Sequence, residues 1–506
     1  MTFIRRVKVG KHVYLREVKS VWENGKPTQK FIRHVGKEID GKRLLNGSIA
    51  ESEISKVSIY GPLLLLNEIA KQINLHEILG EYYSEILSMA YSHCIDPKSL
   101  NKMEEWFSRT ELNNLLNIKE LTERRLVDSL DKINNEDRAE ILQDKIFEAV
   151  NSRYKLQNNS FFYDVTNIYF FGANCKLAKR AKSKEGGYKK IIQIGLAVTK
   201  EGIPIFHKTF SGDVFDARTL FDVMKSLSII GINDPFLIWD RGVSSKINIA
   251  DAKKLGFEVI CGLANKGKMP KEVDEVINNN NFLRPRNRVR LKNSSFYVSV
   301  KKHSCDGVSG HLYVCLNKKQ QLEQQEKRLN EIEEAKQLLE KNKSIEEHLR
   351  KFFRKKVLLE NKILEAEKYD GISIIFSTKN LEPKNLLKRY FEKDVVEKAF
   401  TCLKGVIKVR PVRKWIEERV RAHIFICYLS YLLLSILDYR LEKKFVPVSA
   451  IEAVDKLETM YKIYITDPKT KNEFVKTVVL TKIQEKILRA ISKKLIEPSD
   501  QKLHQT

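Results

Sequence analysis

The chain has 506 residues, 42% of them hydrophobic, and its 91 Lys plus Arg against 65 Asp plus Glu leave a formal charge of +26. At roughly 100–200 residues per domain this is material for about three domains with real cores, which excludes a disordered tail or a small peptide-like module. So large a cationic excess draws polyanions, and with no basic amphipathic anchor in the sequence it favours nucleic acid over an anionic membrane.

Residues 1–54 alternate in the manner of strands, as in His12-Val13-Tyr14-Leu15-Arg16-Glu17-Val18, and Asn24-Gly25 between two such runs predicts a β-hairpin. The basic start MTFIRRVKVGKHV lacks an apolar core and a small-residue cleavage site, so a cytoplasmic protein is expected. Over 55–155 the pattern turns helical, with LLLLNEIAKQI, SLNKMEEWFSRT after Asp96-Pro97, ERRLVDSLDKI capped by Thr122, and DRAEILQDKIFEAV. Short helices with tight connections suit a DNA-binding module of the helix-turn-helix kind, and equally a helical packing domain.

From 156 to 440 the texture is α/β. FFYDVTNIYFF, IIQIGLAV and IPIFHKTF read as three successive strands, followed by a helix from Asp216, strand PFLIWD, helix SKINIADAKKL and strand FEVICGL. Residues 265–369 interrupt this core with a basic β-type segment (RPRNRVRLKN, SFYVSVKK, HLYVCL) and a Lys/Glu/Leu-rich helical stretch, which predicts an inserted β-plus-helical subdomain. The core returns at GISIIFST, and a long helix is predicted from Lys384 to about Leu403. The apolar run Ile424 to Leu437 is 14 residues long and holds Ser430, Ser435 and two tyrosines, which suits a buried helix better than a bilayer span of about 20 residues. Residues 441–506 read as a C-terminal helical region.

Seven scattered cysteines without a C-x-x-C pair argue against a disulfide framework or a zinc ribbon and predict free, mostly buried thiols. His303, Cys305, His311 and Cys315 include the residue types of a zinc site, but their spacing fits no familiar finger, and Val314 and Leu316 place Cys315 in an alternating strand.

Three acids stand out. Asp164 lies inside an apolar strand, where a carboxylate is costly unless it is paired or binds a cation. Asp240 ends the strand FLIW and precedes Arg241-Gly242, at the carboxyl edge where open α/β sheets place ligands. Glu397 lies in RYFEKDVVEKAFTCLK with Tyr390, Lys393 and Lys404. At about 100° per residue these four fall within about 60° of one another on a single helix, either as a functional face or as an ordinary solvent face with a Lys393–Glu397 ion pair.

The order of Asp on a first strand, Asp after a fourth strand and Glu on a later helix resembles the DDE transposases. Tyr390, Lys393, Glu397 and Lys404 resemble the Y-x2-R-x3-E-x6-K signature of the insertion-sequence-four-like family, with Lys393 in the arginine position. The segments GYKKIIQIGLAVTKEGIPI, FSGDVFDARTL, WDRGVSSKINI and RPVRKWIEERVRAHIFICYLSYLL are similar to that family over roughly Phe161 to Leu437. Trp239, before the second Asp, is bulkier than the small residue the family pattern leads one to expect. The resemblance implies a ribonuclease-H-like catalytic core within an α/β fold, and a transposase that binds the inverted repeats of its element, exposes 3′-hydroxyls and joins them to target DNA. It implies Asp164, Asp240 and Glu397 as catalytic ligands of Mg2+, with Mn2+ as a substitute. It further implies phosphate contacts from Lys393, Lys404, Arg241, Lys189 and Lys190, a DNA contact from Tyr390, a homodimer on double-stranded DNA, and a nucleoid-associated place in the cell. The alternatives are a ribonuclease-H-like nuclease without strand transfer and a non-catalytic DNA-binding descendant.

Overall fold

The computed structural model describes residues 2–9, 12–23, 25–39, 42–45, 53–133, 136–156, 160–172, 175–184, 186–214, 216–229, 235–263, 270–291, 294–410, 416–466 and 473–496. The chain divides into two compact units, one of residues 66–104 and 121–451 and the other of residues 1–65, 105–120 and 452–506.

The larger unit is a mixed α/β structure around a ten-stranded sheet. Its strands in chain order are β1 (Ser160–Tyr169), β2 (Lys179–Lys182), β3 (Tyr188–Thr199), β4 (Pro204–Ser211), β5 (Phe236–Trp239), β6 (Glu258–Leu263), β7 (Arg288–Leu291), β8 (Ser294–Cys305), β9 (Val308–Asn317) and β10 (Ile372–Ser377). Across the sheet the order is β7-β8-β9-β10-β6-β5-β1-β3, and the far edge of β3 is shared by β2 and β4, which pair with successive stretches of it. β5 runs parallel to both β1 and β6, and the other pairings are antiparallel. Within it β1, β3, β4, β5 and β6 lie in the order β4-β3-β1-β5-β6, an antiparallel meander followed by two parallel strands.

The sequence explains this arrangement locally. β1 is apolar on both faces, as a strand covered on both sides must be, and Asp164 is its one charged residue. Gly202, at φ +80°, closes the β3–β4 turn in a conformation that penalises a Cβ. The helices Asp216–Ile229 and Lys246–Lys254 carry the chain from β4 to β5 and from β5 to β6. The second is capped by Ser245, whose side chain accepts from the Asn248 amide at 3.0 Å.

The expected insertion does not stand apart as one body. Its strands β7, β8 and β9 extend the large sheet through β10, and Leu312, Val314 and Leu316 pack with Ile372 and Ile374 and with Val273 and Val276 of a short helix. The helix Lys318–Glu340 then contributes Ile332 and Ala335 to a small separate core with Leu349 and Phe352.

Among the described residues one helix, Glu417–Lys443, is long and apolar enough to cross a membrane, and 89% of its apolar window is buried inside the protein. It packs on the helix Tyr83–Ile95 and on β4. Its polar atoms find interior partners: Ser430 Oγ donates to the Ala90 carbonyl at 3.1 Å and Tyr428 Oη to the Ile205 carbonyl at 3.1 Å. The seven cysteines are free, and all but the half-buried Cys402 are buried.

The smaller unit opens with an antiparallel meander of Thr2–Val9, His12–Glu23, Lys26–Ile39 and Lys42–Leu45. Glu23 pairs with Lys26 around the expected turn, with Gly25 at φ +69°; Asn24 lies outside the described residues. Glu53–Ile59 pairs with Tyr461–Thr466, which pairs in turn with Glu473–Thr477. Glu111, fully buried in this unit, accepts from Tyr464 Oη at 2.9 Å and pairs with Lys462 at 3.3 Å.

Candidate functional site

β5 brings two aspartates together. In its parallel register with β1, Trp239 lies opposite Tyr163, so one step further Asp240 and Asp164 come level at the carboxyl end of β5. On the other side Trp239 lies opposite Cys261, which puts Gly262 of β6 beside Asp240. A Cβ on Gly262 would collide with the Tyr390 hydroxyl and lie 3.3 Å from Asp240 Oδ1, so the missing side chain makes room for these two groups. Trp239, at the end of the interior strand β5, is fully buried next to them.

The surroundings drive the two carboxyls apart. Burial pushes the Asp164 carboxyl above the usual range; Lys184 and a backbone bond from Val165 oppose this, while Asp216 and Asp240 add to it. Burial acts on Asp240 as well, but Lys393, the Arg241 amide and the Tyr390 hydroxyl outweigh it and hold that carboxyl below the usual range. Lys393 Nζ stands 3.0 Å from Asp240 Oδ1, and Tyr390 Oη donates to the same oxygen at 2.8 Å. Burial and the neighbouring carboxylate push the Tyr390 phenol strongly upward, so it remains a donor. The Lys393 ammonium also lies 5.0 Å from the centre of the Tyr390 ring.

Tyr390 and Lys393 reach Asp240 because the expected single helix over Lys384 to Leu403 is two helices. Pro383–Phe391 ends at Glu392, and Asp394–Gly405 begins immediately after Lys393. Between them the backbone switches to bonds three residues apart, Lys393 N to Tyr390 O at 3.3 Å and Val396 N to Lys393 O at 3.0 Å, and Asp394 supplies the negative charge a helix start favours. The junction interrupts the regular α-helical ladder, so the uniform step of about 100° that places Tyr390, Lys393, Glu397 and Lys404 on one face does not run unbroken through it. Glu397 is exposed on the first turn of the second helix, and the side-chain hydrogen bond and ion pair of Asp240 run to Tyr390 and Lys393. Lys404 is half-buried in the last turn of a helix that packs on β1 and β3 through Val396, Ala399, Phe400 and Leu403.

Two residues that sequence reasoning missed belong to this site. Lys184 pairs with Asp216 Oδ2 at 3.1 Å, donates to the Val165 carbonyl, and lowers the carboxyl of Asp164. Asp216 lies in the quoted segment FSGDVFDARTL, but a single acid at a helix start reads as a cap. Lys184 sits in the β2–β3 connection, and the pair of strands it joins exposes Lys179, Arg180, Lys182, Lys189 and Lys190, a cationic ribbon whose turn reaches the aspartates. Lys189 Nζ lies 4.2 Å from the centre of the Tyr169 ring. Arg241 is exposed in the turn after Asp240. The mixed Cys/His set on β8 and β9 does not converge: His303 is opposite Gly310, Cys305 opposite Val308, and His303 Nδ1 instead meets Glu272 at 2.9 Å.

Two neighbouring carboxylates of opposite pKa tendency, with ammonium groups on their flanks, are hard oxygen donors of the kind that holds a small divalent cation. No protein-family model matches the chain, and no curated protein sequence does. Among solved structures it is similar to a cryo-EM structure of a piggyBac transposase synaptic complex with hairpin DNA, with a TM-score of 0.40 and 12% identity over 87% of this chain and 83% of that one. A likeness of that degree fixes neither fold nor activity.

Proposed function

We propose that this protein is a DNA transposase of the DDE class that cuts phosphodiester bonds at the ends of its own element and joins the freed 3′-hydroxyls to target DNA. The observation that carries the reading is the side-by-side placement of Asp164, midway along β1, and Asp240, just past the carboxyl end of the adjacent parallel strand β5. Support comes from the strand order β4-β3-β1-β5-β6, which is compatible with the proposed ribonuclease-H-like core, from the ordered set of family-like segments, and from the +26 charge.

Asp164 and Asp240 are the residues that would hold magnesium, and Glu397 is proposed as the third ligand. Bound divalent cations would activate a water or a 3′-hydroxyl and stabilise the leaving oxygen of the phosphodiester. The chain's own groups do the rest. Lys393 and Tyr390 keep Asp240 ionised and oriented. Lys184 balances Asp164 and Asp216. Lys404, Arg241, Lys189 and Lys190 are proposed to hold DNA phosphates, with a homodimer bringing two ends together.

The test uses duplexes carrying the inverted repeats that flank the coding sequence, both intact and already cut. Wild type with Mg2+ should cleave the first and join the second to a target plasmid, and Asp164→Asn, Asp240→Asn and Glu397→Gln should do neither while still binding the ends. Cleavage without joining would reduce the protein to a nuclease. Binding without cleavage by wild type, or native cleavage by the aspartate variants, would overturn the assignment.

A further inference from the structure

A second cluster of ligand-type side chains lies in the larger unit, made from residues more than three hundred positions apart. His93 is on the last turn of the helix Tyr83–Ile95, and His423 and Cys427 are one turn apart on the buried helix Glu417–Lys443. One ligand atom from each lies within 4.8 Å of the others, and among the described residues this is the group of three that meets such a limit. Cys427 Sγ and His423 Nε2 are 3.8 Å apart, against roughly 3.6 Å for sulfur and nitrogen on one tetrahedral zinc ion. The centres of the two imidazole rings are 5.5 Å apart, with the rings tilted 58° to each other.

We propose that His93, His423 and Cys427 form a transition-metal site of the zinc class, separate in its residues and in its ligand chemistry from the carboxylates at the sheet edge. A thiolate and two imidazoles select a soft or borderline ion and exclude magnesium. The segment after the helix Asp394–Gly405 orients the ligands. His93 Nδ1 lies 2.7 Å from the Ile407 carbonyl, and a proton on Nδ1 turns the Nε2 lone pair away from that contact, the arrangement that ligating histidines commonly show. Lys408 holds the left-handed conformation at φ +54° between Ile407 and Val409, so that the Ile407 carbonyl serves His93 and the Val409 carbonyl lies 3.3 Å from His423 Nε2. The latter contact is long, and the tautomer with its proton on Nδ1 gives it up to an ion.

Both histidines line a cavity of about 360 Å³ together with Met89, Met103, Lys408 and Arg410, which leaves room for a fourth, solvent-derived ligand. The cations around it have other partners as well. Lys98, also on the wall, pairs with Asp96 at 2.5 Å, and Arg410 stacks over Tyr169 at 5.2 Å.

The test is Co2+ titration of the full chain after chelation, read by the near-ultraviolet thiolate-to-cobalt charge-transfer band and the intense visible bands of tetrahedral cobalt, with metal content of the purified protein measured alongside. Wild type should bind one equivalent with both signatures and purify with zinc. Cys427→Ser, a near-isosteric change, should lose the charge-transfer band, and His93→Gln should weaken Co2+ at least tenfold. The double variant Asp164→Asn/Asp240→Asn should keep the full spectrum. Absence of the charge-transfer band in wild type, or its persistence in folded Cys427→Ser, would overturn the site.

Discussion

Gly262→Ala is the smallest change that probes the coupling between the two helices and the sheet edge. The added methyl would fall inside contact distance of the Tyr390 hydroxyl, 3.1 Å from the Arg241 amide nitrogen and 3.3 Å from Asp240 Oδ1. The Arg241 amide is part of the backbone and the Asp240 carboxylate is held by Lys393 and that amide, so the Tyr390 ring must retreat and its bond to Asp240 is lost. Overpacking of this kind costs about 1–3 kcal/mol, and a hydrogen bond to a charged acceptor contributes about 1.5–3 kcal/mol. Because the two effects share one contact and do not simply add, the expected loss is about 2–4 kcal/mol. Tyr390→Phe removes the hydroxyl alone and should cost about 1–2 kcal/mol, because Lys393 and the Arg241 amide still hold Asp240. Urea unfolding followed by tryptophan fluorescence, with Trp239 buried next to the site, measures both. A Gly262→Ala protein within 0.5 kcal/mol of wild type, or one more stable than Tyr390→Phe, would refute the packing argument.

Other expectations follow from buried charge. Glu85 is fully buried and held by Arg125 Nε at 2.7 Å and by Ser84 Oγ at 2.8 Å, so Arg125→Met should destabilise the protein by about 3–5 kcal/mol in the same unfolding measurement. His207 is buried against Tyr428, and burial, aided by Arg421, lowers its pKa to about 3. The unfolded chain therefore takes up a proton that the folded one refuses, and stability should fall by about 1.4 kcal/mol per pH unit below the usual histidine value until about pH 3. His207→Asn should flatten that slope in unfolding curves taken from pH 7 to pH 4. The raised carboxyl of Asp164 has the opposite sign: the metal-free protein loses stability as pH rises through it. Thermal unfolding in chelator should find Asp164→Asn more stable than wild type at pH 7, with the gap closing towards pH 4.

Much of the site was legible because its signals are local. Asp164 interrupts an apolar strand and Asp240 follows another, whereas the parallel pairing that joins them spans three intervening strands and a helix and shows only in the fold. The helix carrying Tyr390 and Lys393 was legible as a helix but not as a broken one, since RYFEKDVVEKAF has neither Pro nor Gly to mark the break at Glu392–Lys393. What orients those residues is the partner they meet, Asp240, 150 positions away. The same limit hid the pairing of Glu53–Ile59 with Tyr461–Thr466 and the meeting of His93 with His423, since periodicity reports a residue's face and not its distant neighbour. Lys184 was hidden for another reason: in a run of seven cations nothing local distinguishes the one whose charge turns inward.

The central claim is that Asp164 and Asp240 act together on a divalent cation. Electron paramagnetic resonance of Mn2+ titrated into the full chain with a bound DNA end measures this directly by counting the ions removed from solution. Wild type should take up Mn2+ that Mg2+ displaces, and Asp164→Asn and Asp240→Asn should each lose most of that uptake while Cys427→Ser retains it. Equal Mn2+ uptake by wild type and both aspartate variants would contradict the account.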